Sequence, residues 1–399
     1  MISILSLLVA LLPTADGVTV QTNGNKPKGP TLHLEFTEDL RFGDDESQDD
    51  ALFWTQATTT IAVNRQGHMF VCDPRANRIY RFNERGESLG SLGGKGEGPG
   101  EFIALVSFQI LADGRGLAFE VAPGILPRLS FFDADMNFIE RKQTVVVGLV
   151  PTAVNFSPDG AFAAAEYVKM DMAGGLMTTN SGLLAPDFSV LKESSSHAQE
   201  FKPMMFQDPL YLKKFIADHL RNTFKARAAY GFDRHGNLYA ASSDRYQVTR
   251  WKGAMQREQL VFEKTYQPVA YAPSRQEHLI EYSTDQWRKA PGLGQMITDR
   301  FIAEAVEMAE LPLVQHPVQA ILVTARDQII VVTDNNGQLQ KGDVFNDKGV
   351  LLGSVELDNQ ALLTPSGLPK MIFYGDHAYT IEVNNDQNVQ AVRYNYSLK

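Results

Sequence analysis

Cysteine is almost missing from this chain: Cys72 is the only one in 399 residues. A disulfide framework and a cysteine-held metal cluster are therefore excluded. Cys72 sits inside an apolar run, where a thiol behaves as a small buried hydrophobe. An excess of positive charge is missing too. The formal net charge is −10, and no Lys/Arg cluster carries interleaved aromatic residues, so nucleic acid is not an expected partner. The acidic balance favours solubility and a cationic partner. Long apolar runs are also scarce. Residues 1–12 form one, too short to span a bilayer, so no membrane span is expected. Followed by Pro13 and Ala15, they read as the core of a signal peptide over 1–17, although no Lys or Arg precedes Lys26. A linker over 18–30 follows. The expected location is extracytoplasmic, periplasmic or secreted. Catalytic signatures are scarce as well. The chain has no HExxH helix, and Gly86-Glu87-Ser88-Leu89-Gly90, which matches Gly-x-Ser-x-Gly in letters, leads into an expected strand at 88–92 rather than a helix, so it is not a nucleophile elbow. The Gly-rich stretch 93–100 lacks the GxxxxGK[ST] pattern of a phosphate loop, and its Pro99 removes a backbone donor.

What the chain has is repeats. Residues 61–102 read as four short strands, at 61–63, 69–72, 79–82 and 88–92. Asn64-Arg65-Gln66-Gly67, Asp73-Pro74-Arg75-Ala76-Asn77 and Asn83-Glu84-Arg85-Gly86 supply the turns between them. An antiparallel four-stranded meander with a Gly-rich link to the next is a propeller blade. Related text surrounds Gly114, Gly160, Gly236, Asp327 and Asp376, giving six units, the third least regular at its end. The expected fold is all-β, a six-bladed β-propeller of four-stranded antiparallel blades, forming one domain over 31–399. The last unit lacks an outer strand, and an open edge invites aggregation. Residues 31–37 are expected to fill that place and close the ring. Two segments break the pattern, 203–222 and 274–310. In the second, Met296, Ile297, Phe301, Ile302, Ala305 and Met308 recur at helical spacing. Short helical insertions between blades are expected there, on the face that also carries the loops between second and third strands.

The stretch 61–102 resembles an NHL-type repeat. It has a strand reading Gly67-His68-Met69-Phe70-Val71-Cys72-Asp73, then Asn77-Arg78-Ile79, and a link reading GxGPGEF. The resemblance is to exported bacterial six-bladed propellers with NHL-like repeats, and it is weaker over 223–251. It implies the fold but names no activity.

Candidate residues follow from the blade pattern. The second strand of most units ends in an acid: Asp73, Glu120, Glu166, Asp334 and Glu382, with Asp244 two residues late. A ring of carboxylates there would suit Ca²⁺ or another divalent ion, or a basic partner. Alternatively each acid accepts hydrogen bonds within its own loop. Arg75, Arg245 and Tyr246 lie in the same class of loop, and His316 precedes an inner strand. The remaining histidines do not fall on one face, as a zinc site of three convergent ligands would need. The reading is a non-catalytic binding or scaffold propeller with no cofactor, recognising a protein, peptide or glycan through the inter-blade loop face. The alternative is a metal-assisted hydrolase or lyase, lactonase-like or peptidyl-hydroxyglycine-lyase-like, with its site at the channel mouth.

Overall fold

A computed structural model describes residues 18–43, 59–121, 126–144, 148–225, 227–241, 245–289, 292–336, 339–358, 370–383 and 388–399. The leader at 1–17 and Asp244 lie outside the described residues. Two strands, β1 (Thr19–Asn23) and β2 (Leu32–Phe42), precede the first blade. Blade 1 holds β3 (Thr60–Val63), β4 (Met69–Asp73), β5 (Arg78–Phe82) and β6 (Ser88–Gly93). Blade 2 holds β7 (Leu105–Ile110), β8 (Gly116–Glu120), β9 (Arg128–Phe132) and β10 (Phe138–Gln143). Blade 3 holds β11 (Leu149–Phe156), β12 (Ala163–Asp171), β13 (Leu176–Leu184) and β14 (Val190–Glu200). Blade 4 is formed by β15 (Ala229–Phe232), β16 (Asn237–Ala241), β17 (Gln247–Lys252) and β18 (Arg257–Lys264). Blade 5 follows with β19 (Ala320–Val323), β20 (Ile329–Asn335), β21 (Leu339–Phe345) and β22 (Leu351–Asp358). Blade 6 takes β23 (Ile372–Tyr374), β24 (His377–Val383) and β25 (Val389–Leu398) from the end of the chain. Its fourth strand is β2, antiparallel to β25 from Leu34 opposite Leu398 to Phe42 opposite Ala391. The molecule is a six-bladed β-propeller.

Burial explains why these residues make blades. Second strands lie between neighbouring blades on both faces, so β4 and β8 are apolar and buried along almost their whole length. Outer strands meet water, and β6 and β10 are polar and mostly exposed. Six apolar cores sit between the blades and close the ring. Phe70, Ile79, Phe108 and Phe132 join blades 1 and 2. Phe119, Phe156, Tyr167 and Phe188 join 2 and 3. Phe162, Leu183, Leu238 and Ala240 join 3 and 4, and Tyr239, Phe262, Ile321 and Phe345 join 4 and 5. Leu34, Leu322, Val332 and Ala378 join 5 and 6. Ile61, Val71, Tyr379 and Ile381 return from 6 to 1. Cys72 belongs to the first of these cores, and burial pushes its thiol pKa up. The link after blade 1 crosses so tightly that a Cβ on Gly93 would come within 2.4 Å of the Phe102 ring.

Three features differ from the sequence reading. The stretch expected as a linker contains β1, which adds a fifth strand to blade 4, parallel to β18. Its β-branched residues Thr19, Val20 and Thr22 suit an edge strand. Blade 3, expected to be irregular at its end, has its longest strand there, the 11-residue β14. The helical stripe is also shifted. Ile297, Phe301, Ile302, Ala305 and Ala309 are buried, while Met308 is exposed.

The insertions form α1 (Pro209–Thr223), α2 (Pro273–Arg288) and α3 (Asp299–Ala309). Asp208 caps α1 by accepting the Leu210 N–H at 2.9 Å. Thr298 caps α3 by accepting the Phe301 N–H at 3.2 Å. The three helices share one apolar core of Leu212, Phe215, Ile216, Leu220, Phe301 and Ile302, which also takes in Met177 of blade 3. Both insertions are links from an outer strand to the next inner strand. By strand direction they emerge on the face that carries the second-to-third strand loops, the insertion face.

Candidate functional site

The described second-strand acids each have a partner, within the same turn for Asp73 and from other strands or links for the rest. Asp73 is buried, and its Oδ1 accepts the backbone N–H groups of Arg75 at 3.0 Å and Ala76 at 3.2 Å. That is a turn interaction, and the Arg75 side chain points to solvent. Glu120 is also buried. Its Oε1 accepts from the Ile103 N–H at 2.9 Å and from Arg128 at 3.1 Å, and Arg141 stands 3.7 Å from Oε2. Glu166 takes both oxygens to Arg227 Nη1, at 3.1 and 2.9 Å. Glu382 accepts from the Tyr394 hydroxyl at 2.7 Å and from Arg41 at 3.1 Å. Beside it, burial lowers the pKa of Lys370 to about 8, against the pull of the Glu382 charge. Asp334 Oδ1 accepts from Gln315 Nε2 at 3.1 Å.

Three of these glutamates thus face an arginine, and a divalent ion would have to displace it. Among the described residues no three His, Cys, Asp or Glu side chains stand close enough to hold one metal ion.

Arg245 and Tyr246 come together in a cleft of about 250 Å³ at the outer end of blade 4, with Thr22, Glu263, Lys264 and Thr265. Tyr246 is buried, and its hydroxyl donates to Asp343 Oδ2 at 2.7 Å. Lys264 Nζ donates to the other oxygen of Asp343 at 2.6 Å. Burial, reinforced by the Asp343 charge, holds the Tyr246 phenol well above its ordinary pKa.

Glu166 lies on β12, Asp334 on β20 and His316 in the link before β19. His316 Nε2 lies 2.8 Å from the Phe224 carbonyl, and Gln315 beside it reaches Asp334. The sequence reading put Glu166 and Asp334 on the insertion face and His316 before an inner strand, without connecting them. It gave no role to Arg227, which precedes β15, or to Tyr271, Arg275 and His278 around the start of α2. The signal available was a cation in the first turn of a helix, where an acid is favoured. His219 is enclosed by the helices. Burial first, and the Arg227 charge second, lower its pKa to about 4.

The chain is similar to an exported protein of Bacteroides fragilis NCTC 9343 at 10 % identity, covering 95 % of this chain and 100 % of that one, with a TM-score of 0.45. It is similar to a protein of Bacteroides vulgatus ATCC 8482 at 10 % identity, covering 92 % and 98 %, with a TM-score of 0.47. It is similar also to the PQQ-bound aldose sugar dehydrogenase of Streptomyces coelicolor at 11 % identity, covering 87 % and 98 %, with a TM-score of 0.40. No activity is carried over from them. A search of the curated proteins finds no match. A family model described as a 6-bladed beta-propeller matches residues 36–122, and that part of the chain, from β2 through β8, is similar to this family.

Proposed function

We propose that this chain is an extracytoplasmic binding propeller without catalysis of its own, recognising a protein, peptide or glycan through the insertion face. One observation carries the reading. Two separate inter-blade links build a common helical layer with its own apolar core on that face. The layer holds large apolar side chains out to solvent, with Met204 92 %, Leu313 79 % and Leu210 69 % exposed. Exposed apolar groups on a rigid support suit partner binding better than they suit isolated stability. The leader-like start of the sequence supports export. Among the described residues no helix is long and apolar enough to cross a membrane.

The test is capture from a cell-envelope extract by the full chain and by the L210E/L313E variant. The reading expects a partner retained by the first and lost by the second. Metal that survives dialysis and supports hydrolysis would contradict it in favour of a metal-assisted enzyme.

A further inference from the structure

Arg275 is in an unfavourable place for a cation. It stands in the first turn of α2, where the helix dipole opposes positive charge. Ala272 gives that helix no side-chain cap, and its first turn contains no acid. Arg275 is only 7 % exposed. Among the described residues its guanidinium has no hydrogen-bond acceptor and no carboxylate partner. The electrostatic influence it does feel comes from the Tyr271 phenol. A buried charge is costly unless paired. A guanidinium, unlike a lysine, does not relieve that cost by losing its proton.

The surroundings repeat the pattern. His278 lies three residues on, over the same face of α2. Its Nε2 is buried without a hydrogen-bond partner among the described residues. The charges it feels are those of Arg275 and Glu281. Tyr271 lies under the influence of both Arg275 and Arg227. Its ring packs edge-on against Phe224 at 5.3 Å, which fixes it at the start of blade 4. Arg227 commits Nη1 to Glu166.

We propose that Arg275, His278 and Tyr271 form a subsite for an oxyanion, the carboxylate or phosphate group of a ligand held on the insertion face. An anion there offsets both unfavourable terms at once: the burial of the guanidinium and its opposition to the α2 dipole. The planar guanidinium offers a fork of N–H donors to two oxygens. His278 in its Nε2–H tautomer and the Tyr271 hydroxyl add single donors. The N-terminus of α2 favours the same charge. The inference rests on the insertion face being the binding face, and it names the charge of what binds there, opposite in sign to that expected from the acidic composition.

The experiment uses the full chain and measures Tm and the His278 imidazole NMR signal. Sodium phosphate and sodium glucuronate are titrated separately, with sodium chloride at matched ionic strength as reference. At least one of the two oxyanions should raise Tm saturably by several degrees and shift the His278 signal. Phosphate alone acting assigns a phosphate group, and glucuronate alone a carboxylate. The Arg275→Met variant should melt higher than the parent without anion and bind the effective anion at least tenfold more weakly. Should that variant not fold, His278→Phe should weaken the same response several-fold. No difference from chloride in the parent chain overturns the proposal, as does a variant that keeps the full response. Either failure leaves capture through Leu210 and Leu313 untouched, so the two readings fall separately.

Discussion

The side chain of Asn23 is locked to Leu351 across two blades: its Oδ1 accepts the Leu351 N–H at 2.9 Å. Its Nδ2 donates to the carbonyls of Gly349 at 2.9 Å and Glu263 at 3.1 Å. Glu263 belongs to blade 4 and the other two to blade 5, so the start of the chain stitches the two together. Replacing Asn23 by Ala leaves buried backbone groups without partners, a loss of about 1–3 kcal/mol. Urea denaturation measures it. A variant as stable as the parent would show that the stitch contributes nothing.

The stitching continues through β2. This strand runs parallel to β22 over Leu32–Leu34 and then antiparallel to β25, tying blade 5 to blade 6. Removing 18–42 takes the outer strand from blade 6 and opens the ring. The shortened chain should lose its single cooperative transition in calorimetry. An unchanged melting profile would mean that the ring holds without it.

The buried acids should prove structural. Glu120→Ala strands Arg128 and leaves Arg141 without its nearby acid, which should cost about 3–5 kcal/mol, while Glu120→Gln should cost less. Asp73→Ala removes two acceptor contacts in one turn and should cost about 1–3 kcal/mol. Denaturant midpoints report both. Loss of a bound divalent ion without loss of stability would instead make these acids metal ligands.

Acid should weaken the helical layer. His219 has a pKa of about 4 in the folded chain against 6.5 as its ordinary value. Between those values the unfolded chain binds the proton that the folded chain refuses. Stability from this residue is therefore complete above pH 6.5 and is lost as pH falls through 4. The linkage amounts to about 3 kcal/mol. His278, also lowered chiefly by burial, acts in the same direction. His219→Phe should flatten the pH dependence of Tm between pH 6.5 and 4. A slope equal to the parent's would assign the effect to other groups.

Much of the propeller was legible because each blade repeats a local code. The turn markers Gly67, Gly114, Gly160, Gly236 and Asp327 all adopt positive φ, and in the last blade the neighbouring Gly375 does so in place of Asp376. Such turn chemistry is local, so it can be read without knowing the fold. The start of the chain was less legible. Nothing near Thr19 says that its strand pairs with one more than 230 residues away. The candidate region was least legible of all. Glu166 stood out by its place in the repeat, but Arg227 and Arg275 gain meaning only when the ring brings their links together. Met308 shows the same limit at small scale. Its spacing suits the apolar stripe, yet Ala309 takes the buried place because α3 meets α1 on that side.

Photo-crosslinking in living cells shows which face meets a partner. A photo-crosslinking residue is placed singly at Leu210, Leu313 or Met172 on the insertion face, and at Arg85 or Asp135 on the opposite face. All five positions are exposed. After irradiation of intact cells, crosslinked products are resolved by mass spectrometry. A common adduct is expected from positions on the insertion face and none from Arg85 or Asp135. An adduct formed from Arg85 or Asp135, with none from Leu210, Leu313 or Met172, would contradict binding through the insertion face.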